Sequence, residues 1–229
     1  MQASGQKFIY AHNERSQVSS TQSAVKTEPH LSLFTLYNME PYIEILGVIT
    51  GVVYLWLEYR ASIYLWIAGI IMPAIYVFVY YDAGLYADFG FNVYYLLAAV
   101  YGLVIWKRGR RNAHGKTERV DISHLPARYS LPLLGVFAVS WLGIAFILTT
   151  CTNSDVVWID SFTTALSIVG MWMLAHKYLE QWLVWIAVDV ASAGLYIYKD
   201  LHFTAVLYAV YAIIAIFGYR KWKRMMQNN

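Results

Sequence analysis

Asp189 is the residue with the most chemical potential in this chain. It lies near the middle of Glu180–Tyr198, EQWLVWIAVDVASAGLYIY, an apolar run of membrane-spanning length. On a helix of 3.6 residues per turn, Trp182, Trp185, Asp189, Ser192 and Tyr196 follow at steps of three and four and share one face. The stripe reads as two indoles, an acid one turn deeper, a hydroxyl and a phenol. A carboxylate turned towards lipid costs at least a few kcal/mol, so Asp189 must face the bundle interior or water. Stacked aromatics beside a desolvated carboxylate suit a flat, cationic organic molecule. The structural alternative is an internal hydrogen bond, or a carboxyl that burial keeps neutral.

The elements that must carry this stripe follow from composition. Of 229 residues, 59% are hydrophobic and 14% are charged. A soluble domain carries about a quarter charged residues. The apolar residues come in long runs, which marks a helical membrane protein. The lone cysteine, Cys151, excludes a disulfide framework and a cysteine metal site. Residues 1–40 read as a polar, disordered tail without a signal-peptide core. Met39 stands directly before the first apolar run and is an alternative start.

Seven apolar spans follow at 41–58, 62–81, 85–106, 129–150, 158–176, 180–198 and 202–220. Each is near the ~20 residues that cross a bilayer. Basic residues set the orientation. The 107–128 loop carries Lys107, Arg108, Arg110, Arg111, Lys116, Arg119 and Arg128, and the C-terminal tail 221–229 follows Arg220 with Lys221, Lys223 and Arg224. With Arg60 and Lys177, 13 of the 17 Lys and Arg fall on one side. The positive-inside rule therefore puts the C-terminus in the cytoplasm and the N-terminus outside.

The sequence also repeats. Shifted by 116 residues without gaps, Trp56 falls on Trp172, Trp66 on Trp182, Tyr80 on Tyr196, Tyr95 on Tyr211 and Gly102 on Gly218. Trp106-Lys107-Arg108 falls on Trp222-Lys223-Arg224. The three spans within 41–106 thus match the three within 158–220, and the helix at 129–150 is a linker. The expected fold class is an all-α membrane protein of seven transmembrane helices, built as a 3+1+3 parallel repeat similar to the SWEET sugar carriers. Applied to the stripe, the repeat adds Trp66, Gly69, Pro73, Tyr76 and Tyr80 on span 2. Pro73 is expected to break that span near mid-membrane.

Other polar positions have competing readings. Glu44 and Asp160, near outer span ends, are either interfacial acids or a cation-attracting vestibule. Asp88 and Asn92 lie early in span 3; Asn92 is deep enough to need a ligand or a helix–helix partner. His176 and His202 sit at span ends and are assigned no role. Trp106 and Trp222, next to Lys-Arg pairs, read as interfacial belt residues, as do Trp56 and Trp172. For Trp182, belt and gate are both open; Trp185 shares the face of Asp189 and reads as pathway.

These residues resemble the PnuC family of vitamin transporters over about residues 41–224. The resemblance is carried by W-I-D-S-F at 158–162, L-S-I-V at 166–169, H-K-Y-L-E-Q-W at 176–182 and the W-x-x-W-x-x-x-D that ends at Asp189. It implies uptake of nicotinamide riboside by facilitated diffusion, with a cytoplasmic vitamin kinase trapping the product, and a bacterial inner-membrane location. It also implies that Trp182, Trp185 and Asp189 touch the substrate; the stripe, its repeat on span 2 and the depth of Asn92 add Trp66, Tyr76, Asn92 and Tyr196 as expected contacts. Two departures, Asp189 for the more usual Asn and Met72-Pro73 on span 2, look more like a thiamine-carrying branch.

The expected function is thus a transporter for a small cationic aromatic vitamin, nicotinamide riboside first and thiamine as the alternative. A proton-coupled symporter using Asp189 or Glu44 is a further alternative. A retinal photoreceptor is excluded, because 202–220 contains no lysine. No P-loop, nucleophile triad or metal-ligand cluster points to an enzyme. No cofactor, metal or nucleic-acid partner is expected; the partners are the small-molecule substrate and the lipid bilayer, and a homo-oligomer is compatible with the sequence.

Overall fold

The computed structural model describes residues 51–82, 86–111, 117–118, 120–152 and 155–228. Helix α1 runs through 51–59. It is followed by α2 (Tyr64–Asp82), α3 (Tyr86–Arg108), a two-stranded hairpin of β1 (Arg110–Arg111) and β2 (Thr117–Glu118), then α4 (Ala127–Cys151), α5 (Val157–Ala175), α6 (Gln181–Tyr198) and α7 (His202–Gln227). In β1–β2, Arg110 pairs with Glu118 and Arg111 with Thr117, antiparallel. Among the described residues, six helices are long and apolar enough to cross a membrane. Span 41–58 lies largely outside the described residues, as do the tail 1–40, Glu44 and the side chain of Asp88.

The outward faces explain why these helices need lipid. Leu131, Val139 and Phe146 on α4, Phe78 on α2, and Phe203 on α7 are exposed. In water such faces would associate or aggregate; in hydrocarbon they cost nothing, while the helices satisfy their own backbone groups. The chain is an all-helical, multi-pass membrane protein.

The chain forms two compact units. The first holds residues up to Arg60 together with Tyr64–Ala99. There Gly69 of α2 allows close approach: a Cβ at this position would lie 3.4 Å from the Ala99 Cβ and 3.5 Å from the Tyr54 ring. Helix α2 runs unbroken through Pro73. The expected break is therefore corrected. Proline removes one backbone bond, and the surrounding packing of a membrane helix tolerates that loss without ending the element.

The second unit holds Ala61–Ile63 and Val100–Asn229. Helix α5 packs on both α4 and α6, and α6 packs along α7. Its buried face is lined by small residues, among them Ser161, Ala165, Ser167 and Gly170, which let neighbouring helices approach. Helix α4 is the least buried of the candidate spans. It is pinned to α5 by Trp141, whose Nε1 donates to the Trp158 carbonyl at 3.2 Å, and by Phe137 and Trp141 against Phe162.

Local geometry keeps the 116-residue offset. Left-handed Ala61 (φ 50°) corresponds to left-handed Lys177 (φ 53°). The end of α2 at Asp82 corresponds to the end of α6 at Tyr198, and the start of α3 at Tyr86 to the start of α7 at His202.

The segment before α4, expected only as basic loop, is built. Val120 and Ile122 are buried, and Ser123 pairs with Tyr178 in a parallel bridge. Ser123 N–H donates to the Lys177 carbonyl at 3.2 Å, and Leu179 N–H to the Ser123 carbonyl at 2.9 Å. Glu180 closes the joint. One carboxylate oxygen meets His124 Nδ1 at 2.7 Å, and the other accepts from Leu125 N–H at 2.8 Å.

Candidate functional site

The predicted stripe is one interior face of α6. Trp182, Trp185, Asp189, Ser192 and Tyr196 are all buried, with Asp189, Ser192 and Tyr196 at 0% exposure. The two indoles rest on different neighbours, each opposite a glycine. A Cβ at Gly218 of α7 would meet the Trp182 ring at 2.5 Å, and one at Gly170 of α5 would lie 3.4 Å from Trp185 Cζ2. The Trp182 ring also meets Trp222 edge-on, with centroids 5.6 Å apart and planes at 87°. These contacts place Trp182 inside the bundle and not in an interfacial belt.

Around the acid, α7 contributes tyrosines that sequence reasoning did not include. Tyr211 lies within electrostatic reach of Asp189. Tyr196 stacks on Tyr208 at 5.3 Å and 20°, and Tyr208 meets Tyr211 edge-on at 5.7 Å. Tyr211, within reach of Asp189, thus ends a row of packed tyrosines, and aromatic rings beside a carboxylate favour an organic cation.

Hydrogen bonding singles out the same face. Trp182 Nε1, Trp185 Nε1, Ser192 Oγ, both ends of the Gln181 amide and the Tyr178 hydroxyl are buried without a partner among the described protein groups. Burying such a group without a hydrogen bond costs about 1–3 kcal/mol, and folded proteins contain few of them. By contrast, the buried hydroxyls of α5 are satisfied within their helix. Ser161 donates to the Val157 carbonyl at 2.7 Å, Thr163 to Ile159 at 3.0 Å and Ser167 to Thr163 at 2.8 Å. Trp182 Nε1, Trp185 Nε1 and Ser192 Oγ, left open on one face of α6, are groups that a polar ligand can complete.

Trp66, Tyr76 and Asn92 belong to the first unit. Trp66 and Asn92 are buried at 0% and 3% exposure. Tyr76 is half-buried and stacks on Tyr80 at 5.6 Å and 23°. The first unit also holds a carboxylate that sequence reasoning missed. Glu58 on α1 is 2% exposed and lies within electrostatic reach of Tyr54. As the last residue of an apolar span it passes for an interfacial acid; only tertiary packing reveals its burial.

Two further expectations are corrected. Trp106 and Trp222 are not belt residues. Trp106 is buried and donates from Nε1 to the Ala175 carbonyl at 3.1 Å, while Trp222 packs under Trp182. His176 is not a freely solvated span end. Its ring lies 4.2 Å from Trp172 and stacks on Tyr178, and its nitrogens lie 2.9 Å from the Trp172 carbonyl and 3.4 Å from the Tyr101 hydroxyl. Asp160 sits in the first turn of α5, where a carboxylate complements the helix N-terminus. Among the described residues, no group of three or more His, Cys, Asp and Glu could hold a metal ion.

Apolar helices of membrane-crossing length, one of them with a buried acid on an aromatic face, define a multi-pass membrane protein with a polar position in its interior. Comparison with known proteins gives the family. The model of the nicotinamide mononucleotide transporter family matches residues 41–224, and the chain belongs to this family of membrane transporters, which are not enzymes. Among curated relatives, the chain is 24% identical over 205 residues to the nicotinamide riboside transporter PnuC of Escherichia coli K12, covering 79% of this chain and 84% of that one. It is 24% identical over 128 residues to the riboflavin/roseoflavin transporter RibM of Streptomyces davaonensis, covering 56% of this chain and 59% of that one. The fold is similar to the crystal structure of the vitamin B3 transporter PnuC, with a TM-score of 0.62, 21% identity and 86% of each chain covered.

Proposed function

We propose that this protein carries nicotinamide riboside across a bacterial inner membrane by facilitated diffusion, with the α6 stripe as its substrate-binding face. The observation that carries the reading is Asp189, a fully buried carboxylate among aromatic side chains. The substrate is a flat aromatic cation bearing hydroxyl groups. Asp189 offsets its charge, Trp182 and Trp185 flank its ring, and Tyr196 bonds its polar edge. Trp66, Tyr76 and Asn92 supply the corresponding contacts from the first repeat. The names of the PnuC relatives support this substrate.

The shared offset of helix ends and left-handed turns supports a 3+1+3 parallel repeat, in which the two three-helix bundles rock to alternate access. The clustering of Lys and Arg supports a cytoplasmic C-terminus and an outer N-terminus. A cytoplasmic kinase then phosphorylates the vitamin and traps it. Thiamine is the second reading, favoured by Asp189 in place of Asn and by Met72-Pro73 on α2; it too is an aromatic cation.

The test is uptake into protein-loaded liposomes without kinase or ATP. Facilitated diffusion predicts equilibration of labelled nicotinamide riboside that an uncoupler leaves unchanged. Uptake that collapses with the uncoupler would replace this reading with proton symport.

A further inference from the structure

Ser192 stands one turn beyond Asp189 on the buried face of α6. It is 0% exposed, and its hydroxyl has no partner among the described protein groups. A serine or threonine inside a helix has a ready alternative, because its hydroxyl can donate to the carbonyl four residues back. The neighbouring helices use it. Thr149 and Thr150 of α4 donate to the Ala145 and Phe146 carbonyls, and Thr164 of α5 donates to the Asp160 carbonyl. Ser161, Thr163 and Ser167 of α5 do the same. Ser192 does not make this bond to Val188, so its hydroxyl is open to a group from outside its helix.

The helix fixes what lies beside that hydroxyl. Residues three apart are neighbours, with Cβ atoms about 5–6 Å apart, and helical side chains lean towards the N-terminus. The Ser192 side chain therefore leans towards the turn that carries Asp189, itself at 0% exposure. Tyr196, four residues further on, is engaged in stacking on Tyr208. A carboxylate attracts a cation, and a hydroxyl beside it donates and accepts without adding charge. The two together match a cation that bears hydroxyl groups close to its charge. Nicotinamide riboside has that form, since its ribose is attached to the charged ring nitrogen.

We propose that Ser192 is a specificity-determining residue, which hydrogen-bonds the ribose hydroxyls of the substrate while Asp189 balances the adjacent ring charge. This inference rests on the proposed function.

The test is titration calorimetry of the wild type and Ser192→Ala with nicotinamide riboside and with 1-methylnicotinamide, which keeps the cationic ring and lacks the ribose. Thermal unfolding of each ligand-free protein is measured in parallel. The predicted result is a riboside affinity about three- to tenfold lower in the variant, the loss of one hydrogen bond, with 1-methylnicotinamide binding unchanged. The unfolding temperature should equal or exceed that of the wild type, because the substitution removes a buried hydroxyl that has no protein partner. Riboside affinity within twofold of the wild type would overturn the inference. So would an equal loss for both ligands, or a loss accompanied by a lower unfolding temperature, either of which would make Ser192 structural. Where the methyl compound binds neither protein, the riboside and unfolding measurements decide by themselves. A wild type that does not bind nicotinamide riboside would overturn the proposed function and the inference together; wild type and variant that bind it equally would overturn the inference alone.

Discussion

The Trp182 ring lies where a Cβ on Gly218 would have to be, 2.5 Å from the position such an atom would take. The glycine is therefore part of the indole's seat, and Trp222 on the same helix forms its other wall. Gly218→Ala should displace Trp182, at a cost of about 1–3 kcal/mol for overpacking, and should lower substrate uptake. Gly194→Ala on α6 is the control, since nothing lies within 4 Å of its Cβ position. Thermal unfolding with uptake on the same preparations separates the two. Equal behaviour of both variants would mean that the close approach carries no weight.

Trp185 has the complementary arrangement on α5. Its ring lies against Gly170, and its Nε1 has no partner among the described protein groups. Trp185→Phe keeps an aromatic face and removes the donor. It should fold with an unfolding temperature near that of the wild type and bind substrate more weakly. Trp185→Ala leaves a cavity and should cost about 3–5 kcal/mol of stability. Binding isotherms on the Phe variant decide whether the indole N–H meets the ligand; an unchanged affinity would exclude it.

The joint between the 123–125 segment and the α5–α6 turn depends more on Glu180 than on His124. The Glu180 carboxylate accepts from a part-buried backbone N–H, whereas the His124 side chain is 63% exposed. Glu180→Ala should cost about 1–3 kcal/mol by orphaning Leu125 N–H, and His124→Ala should change stability by less than about 1 kcal/mol. Chemical or thermal unfolding of the pair tests the ranking.

Lys199, between α6 and α7, donates to Asp155 Oδ1 at 3.2 Å. Burial lowers its ammonium below the ordinary lysine range. Its folded pKa therefore lies below its unfolded one. The stability penalty is fully present at neutral pH, where both states are charged, and lessens as pH rises through the folded pKa towards the unfolded value of 10.5. Lys199→Met should be neutral or stabilising at pH 7, and any gain should shrink as pH approaches that value. A clear loss of stability at pH 7 would show that the ion pair outweighs desolvation.

Much of this was legible in the sequence. Asp189 could be assigned to the interior because a mid-span carboxylate has no tolerable lipid-facing position, and helical spacing carried Trp182, Trp185, Ser192 and Tyr196 to the same face. Features that depend on tertiary partners were not legible. Gln181 looks like an ordinary first-turn residue until its burial is known. Trp106 and Trp222 share the sequence context of belt tryptophans, and only the helices packed over them reveal otherwise. Pro73 looks like a helix breaker because local propensity cannot register the packing that keeps α2 continuous.

In the proposed function, Asp189 balances the charge of a cationic aromatic vitamin. Titration calorimetry of the purified wild type and Asp189→Ala, with nicotinamide riboside, thiamine and neutral riboflavin in parallel, tests it most directly. Binding of nicotinamide riboside by the wild type, weakened at least about tenfold in the variant with its fold intact, is the predicted result, and thiamine behaving this way in its place would select the second reading. Equal affinity of wild type and variant for the cation, or binding of riboflavin alone, would contradict it.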